Sequence, residues 1–344
     1  MPSLVGSEMC IRDRSKRGSL PRVTPEHEKL HKAKPDPDKY NLTAYSGPCD
    51  TYHINDNYGS LYHFVPSLVA DDKGKALIEL SVKRESESNP ELKIGRVDEE
   101  DETLKDAALG MVKRTDVVLV SLSEEPPGLN TAPFDPGRRG GWYSFGYALR
   151  SVAEKILDVD DNELNVGLSV RNIEERLITE VFLSDALENG AGYATYLGKK
   201  EILKELLSEM GKFMKRLTEE HEACDSSCYS CLRDYYNSLF HPLLDWRLAR
   251  DMNELFTHGK IDFKTWHHLE QQLTKSFSEA FGGDPIALTS EVMAVQSTGP
   301  LGNKLLIVRH TFEEPVANDF VGDDSALTER KESDILTAEE TGSE

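Results

Sequence analysis

Four stretches of the chain carry a regular hydrophobic pattern. In the first, Phe145, Ala148, Leu149, Val152, Ala153, Ile156 and Leu157 recur at i, i+3, i+4 and i+7, the stripe of a helix packed on a core. Ser144 stands where its N-cap is expected. In the second, Ile202, Leu203, Leu206, Leu207, Met210, Phe213, Met214 and Leu217 repeat the pattern and predict a second helix. A third helix is expected from about Leu243 to Phe256, and a fourth from Phe263 to Phe281. Short apolar runs at Ala76–Leu80, Val117–Leu122, Leu177–Leu183 and Leu305–Val308 suit buried strands. Tyr52 to Phe64 reads as strand, turn, strand, with Asn55 to Gly59 supplying the turn residues. The fold class expected is mixed α/β: a central sheet with amphipathic helices and a helical and loop subdomain.

Between these elements the chain is polar. Met1 to Arg14 reads as translated sequencing-adapter read-through, and residues 15–45 as a disordered linker. Pro126 to Gly141 reads as a loop. The Asp185 to Tyr193 loop holds Gly190-Ala191-Gly192. Such a loop either cradles phosphate or packs backbone on backbone; it lacks both glycine-rich phosphate motifs, and packing is the expectation. The net charge of −21 argues against polyanion binding by the whole surface. From Glu313 to Glu344 there are eleven Asp and Glu against two Lys and Arg, and residues 316–344 are expected to be a disordered acidic tail. No run of about 18 apolar residues occurs and no secretion signal precedes the pattern, so no membrane role is expected. The few clustered cysteines fit a reducing compartment, which points to the cytoplasm.

Candidate chemistry lies in one place. Cys224, Cys228 and Cys231 form C-x3-C-x2-C within eight residues. Three thiols this close converge readily on one ion, and structural zinc takes four ligands from sulfur or imidazole. His241 is the first candidate for the fourth ligand and His221 the second. The alternative is three buried cysteines without metal. Arg138, Arg139, Arg233 and Arg247 are candidates for phosphate contact, each against the plainer reading of a surface or ion-paired residue. No Walker A sequence and no Asp-Glu-x-His box occur, so this chain is not expected to hold ATP or to be an enzyme by itself. His221-Glu222-Ala223-Cys224 does not reproduce the deaminase zinc pattern.

Four segments in order resemble one known family. They are Ile54 to Gly59 (INDNYG), Arg114 to Val120 (RTDVVLV), Tyr143 to Leu164 with the Asp185 to Tyr193 loop, and Cys224 to Ala249, ending in LDWRLA. Together they resemble the MrfA-like zinc-binding domain, found at the C-terminus of superfamily 2 helicase-like proteins and in the DrmB subunit of the DISARM phage-defence system. The resemblance implies a domain over residues 46–255, followed by a small α/β extension over 256–315. It implies Zn2+ held by Cys224, Cys228, Cys231 and His241, and a partner that is a helicase subunit or helicase core, with DNA reached through the complex. It leaves open phage defence or DNA repair, a fragment of a single-chain helicase, and a zinc-dependent hydrolase. The family often carries a fourth cysteine six residues after the third, where this chain has Asn237. Asn is a poor zinc ligand, which directs attention to His241.

Overall fold

A computed structural model describes residues 19–24, 26–55, 62–70, 76–83, 104–107, 109–173, 176–221, 224–287, 293–297, 304–314 and 335–337. The fold is mixed α/β. Strands β1 (Ser19–Thr24), β2 (His31–Ala33) and β3 (Leu42–Asn55) open the main sheet, with β1 and β2 both antiparallel to β3. A small separate sheet follows, made of β4 (Tyr62–Ala70), β5 (Ala76–Lys83) and β6 (Leu104–Ala107). Strands β7 (Leu109–Leu122), β8 (Leu164–Ile173) and β9 (Arg176–Asp185) complete the main sheet in the order β1-β3-β7-β9-β8. All its pairings are antiparallel.

The β7 run is apolar without alternation because both of its faces are covered. Val118 and Val120 join the large core under the helices. Val117 and Leu119 point the other way, with Val23, Leu30, Cys49 and Phe182, into a second, smaller core. The sheet curls until its first and last strands, β1 and β8, touch. That curl encloses the second core.

Helix α1 (Pro136–Leu157) lies on β8 and β9. It begins earlier than its apolar stripe. Ser144 is buried inside the helix, and the N-cap is Asp135, whose carboxylate accepts from Arg138 N at 2.8 Å, with Pro136 in the first turn. The glycines that suggested a loop lie inside the helix, where close neighbours leave no room for a side chain. A Cβ on Gly140 would stand 2.6 Å from Leu243 O, and one on Gly141 2.3 Å from the Phe312 ring. Helix α2 (Tyr193–Leu197) is short, and α3 (Lys200–Glu220) buries the predicted stripe from Leu203 to Leu217, with Ile202 half-buried beside it. Helix α4 (Trp246–His258) starts after Asp245, and a 3-10 turn at Phe263–Trp266 leads into α5 (His267–Phe281). Strands β10 (Gly283–Ala287), β11 (Met293–Ser297), β12 (Lys304–Ile307) and β13 (Ile335–Thr337) form a third sheet.

Two expected boundaries do not match the packing. The region 15–45 holds β1, β2 and the start of β3, and Val23, Leu30, Ala33 and Tyr40 are core residues. Its strands are short and polar, held by backbone pairing that leaves no periodicity to read. The boundary at 255 cuts α4, where Phe256 stacks on Phe145 with ring centroids 4.5 Å apart. Residues 1–14, the Asn55–Gly59 turn beyond Asn55, and most of the acidic tail lie outside the described residues; Ile335–Thr337 of that tail pairs with Lys304–Ile307 in the strand ladder.

Candidate metal centre

Helix α3 delivers the chain to the cysteines. His221 caps its C-terminus, with His221 N on Leu217 O at 3.1 Å, and Cys224 N bonds back to His221 O at 3.0 Å. The chain then turns tightly: the amides of Cys231, Leu232 and Arg233 converge on Cys228 O at 3.1, 3.2 and 3.0 Å. The turn brings four side chains together. One ligand atom from each of His221, Cys224, Cys228 and Cys231 lies within 4.8 Å of all the others.

The donor chemistry fits zinc. Three sulfurs and an imidazole nitrogen make the Cys3His set of closed structural sites. Two backbone amides aim at sulfur: Cys228 N at Cys231 Sγ, 3.0 Å, and Ser230 N at Cys228 Sγ, 3.3 Å. Such donors favour the thiolate. Burial pushes the Cys224 thiol up, and pushes Cys231 up to about 12. Burial acts on Cys228 too, but the Ser230 amide and the neighbouring thiols outweigh it and bring that group down. Three crowded thiols without a cation resist shedding all their protons. A divalent ion reverses that balance and releases them.

His241 lies elsewhere. It sits on a 3-10 turn, Ser238–Leu243, and its Nε2 faces Asp234 O at 3.0 Å and Asn237 Oδ1 at 2.8 Å. The structure thus brings Cys224, Cys228 and Cys231 together and adds His221 in place of the expected His241. The sequence signal was the short His221-x2-Cys224 spacing, which a helix end converts into proximity. Asn237 is fully buried: Oδ1 also accepts from Asp234 N at 2.9 Å, and Nδ2 donates to Leu232 O at 2.8 Å. Where the family often places a cysteine, this chain has a hydrogen-bonding post that holds the loop and orients His241.

Comparison with known proteins agrees with this geometry. Residues 145–232 match the family model described as the MrfA Zn-binding domain, a span that includes all four clustered side chains. Over those residues the chain is similar to the MrfA Zn-binding domain. Druantia protein DruE of Escherichia coli (strain UMEA 4076-1) is 30% identical over 123 residues, 35% of this chain and 6% of DruE. A crystal structure of the DUF1998 helicase MrfA bound to DNA aligns with 67% of this chain and 24% of its own, at 12% identity and a TM-score of 0.35. A second, with DNA and AMPPNP, gives a TM-score of 0.26. The chain therefore spans a small part of the length of each of these relatives.

The loop that carries the cysteines is tied to the rest of the fold at two points. Trp246 N donates to Ser226 O at 2.9 Å and Trp246 Nε1 to Cys224 O at 3.1 Å, so α4 starts on the loop itself. On the other side Asp234 pairs with Arg150 of α1, which also lies 3.6 Å from Glu154. Burial pushes the Glu154 carboxyl up to about 8, against the pull of Arg150.

The remaining candidates are used internally. Arg138 Nε donates to Thr311 O, Arg139 Nε to Pro133 O and Arg233 Nε to Ser227 Oγ, and Arg247 pairs with Asp245 through two nitrogens. The small-residue loop is a packing device. The buried Asp185 carboxylate accepts from the amides of Ala191, Tyr193 and Ala194 at 2.7, 3.1 and 2.8 Å, so the donors a phosphate would need are taken. Gly190, at φ +74°, passes so close that a Cβ would strike Asp116. No helix among the described residues is long and apolar enough to cross a membrane.

Proposed function

We propose that this chain is a non-catalytic module in which zinc, held by His221, Cys224, Cys228 and Cys231, staples a domain that works with a superfamily 2 helicase motor on DNA, in phage defence of the DISARM type or in DNA repair. One observation carries the reading: four side chains of the right chemistry converge at a loop on which α4 begins and which an ion pair ties to α1. A complete set of chain ligands supplies cross-linking and leaves no position for a reacting water. The absence of a Walker A sequence supports a motor located in another segment or chain.

Metal analysis of the purified chain tests the ligand set. The expected result is one zinc per chain in the wild type, lost in Cys228→Ser and in His221→Ala, and kept in His241→Ala. Zinc kept in His221→Ala and lost in His241→Ala would return the fourth ligand to His241. Binding of the purified chain to its accompanying motor tests the larger reading, which no interaction at all would defeat.

A further inference from the structure

The loop that gathers the cysteines also displays three tyrosines within residues 229–236. Tyr229, Tyr235 and Tyr236 are 74%, 76% and 53% exposed. The backbone beneath them is fixed. Asp234 pairs with the buried Arg150, and its Oδ1 accepts from the amides of Tyr236 and Asn237 at 2.6 and 3.0 Å. The buried Asn237 side chain ties back to Leu232 O and Asp234 N. The rings follow one another by contact. Tyr229 stands edge-on to His241, centroids 5.7 Å apart. His241 Nε2 faces the carbonyl of Asp234, the residue before Tyr235, and Tyr235 stands edge-on to Tyr236 at 5.5 Å. Aromatic side chains held out into water on an ordered frame are the usual anchors of an interface, because little entropy remains to be lost on docking.

The charge around them selects the occupant. Tyr236 Oη accepts from Asn162 Nδ2 at 3.3 Å, which sets the tyrosines beside residues 158–163. That stretch holds four carboxylates and no cation. Asp158, Asp160 and Asp161 are exposed and make no ion pair among the described residues. Residues 225–241 add Asp225 and Asp234 against Arg233 alone. Beside burial, Asp161 and Asp234 both push the Glu154 carboxyl up against the pull of Arg150, so the two loops share one negative field. The cations in reach are Arg150, held by Asp234; Lys155 and Arg216, which lie against the Phe213 ring at 5.5 and 5.2 Å; and Arg233, whose Nε donates to Ser227 Oγ. A nucleic-acid backbone would meet these carboxylates and be repelled. An aliphatic segment would leave them without a counter-charge. A guanidinium suits both halves of the surface, since it stacks on an aromatic face and pairs with a carboxylate.

We infer that this surface docks an arginine-bearing segment of a partner polypeptide, with guanidinium groups on the rings of Tyr229 and Tyr235 and the surrounding charge met by Asp158, Asp160 and Asp161. The surface owes nothing to the proposed motor, and the probe tests it without one. Binding of the full-length chain to a capped peptide of alternating Arg and Gly is measured by calorimetry, beside its Arg-to-Lys counterpart and an oligo-dT strand. Tyr229→Ser and Tyr235→Ser replace exposed groups, so zinc content and thermal midpoint are expected to match wild type. Each is expected to weaken the arginine peptide about threefold, and the two together about tenfold. Asp160→Asn with Asp161→Asn is expected to weaken it and to flatten its salt dependence. Leu273→Ser, at an exposed apolar position of α5, is expected to bind as wild type does. The lysine peptide is expected to bind more weakly than the arginine one. No binding of the arginine peptide by wild type, or equal binding by the tyrosine variants, would overturn the surface. Equal affinity for the lysine peptide would overturn the choice of arginine, and tyrosine-dependent binding of oligo-dT in place of the peptides would overturn the polypeptide.

Discussion

Glu154 shows how a single buried carboxyl can give the domain a pH response. It lies in α1, 4% exposed, with Arg150 3.6 Å away and one carboxylate oxygen without a hydrogen-bond partner. Its folded-state carboxyl is raised from 4.5 to about 8 by burial. A raised carboxyl favours the fold while protonated, so its contribution is complete below the unfolded value and is lost as pH rises through the folded one. Stability to urea is therefore expected to fall between about pH 5 and pH 8. Glu154→Gln should flatten that slope; a slope identical to wild type would show that other groups carry it. Neither this residue nor Asn237 was legible in the sequence. Asn237 reads there only as a missing cysteine, because what it contributes is a set of loop hydrogen bonds that exist once the chain has turned. The three cysteines were legible because their chemistry is local. The fourth position was legible only as a choice between two histidines, since it depends on where α3 ends.

The start of α4 explains why Leu244 to Ala249 is such a clear marker. Leu244 and Ala249 are buried, Asp245 caps the helix by accepting from Arg247 N at 2.8 Å, and Trp246 reaches back to the metal loop. Burial raises the Asp245 carboxyl even though Arg247 pulls it down. Asp245→Ala is expected to cost about 1 kcal/mol in denaturant unfolding, the usual loss for an N-cap. Trp246→Phe keeps an aromatic side chain and removes the indole donor to Cys224 O, and it should speed zinc loss to a chelator while leaving the helix in place. Equal chelation rates would place the metal loop's stability elsewhere. Helix interiors were the most readable elements, because the stripes in α1 and α3 repeat over roughly four turns. Helix ends and short strands were not. Asp135 and Pro136 begin α1 well before its stripe, and β8 passed unnoticed because its outer residues Val170 and Ile173 remain exposed and blur any alternation.

Across the whole molecule, the first described residues are part of the architecture. Val23 and Leu30 cover Val117, Leu119 and Phe182 in the second core. Removal of residues 1–35 is expected to lower the thermal midpoint markedly and to expose dye-binding apolar surface; an unchanged melt would mean that the second core tolerates water. No periodicity announced this, because β1 earns its place through pairing with β3 and through contact with β8, both set by tertiary structure. The same curl has a consequence in time. The ribosome finishes β1 and β3 long before it reaches Leu164–Ile173, and β8 is the strand that closes the sheet. Through that interval β7 keeps open the edge that β9 will pair, the condition in which nascent chains stick to one another. The zinc ligands, gathered within eleven residues, face no such delay. A cell making this protein needs its chaperones for the sheet and only a supply of metal for the loop.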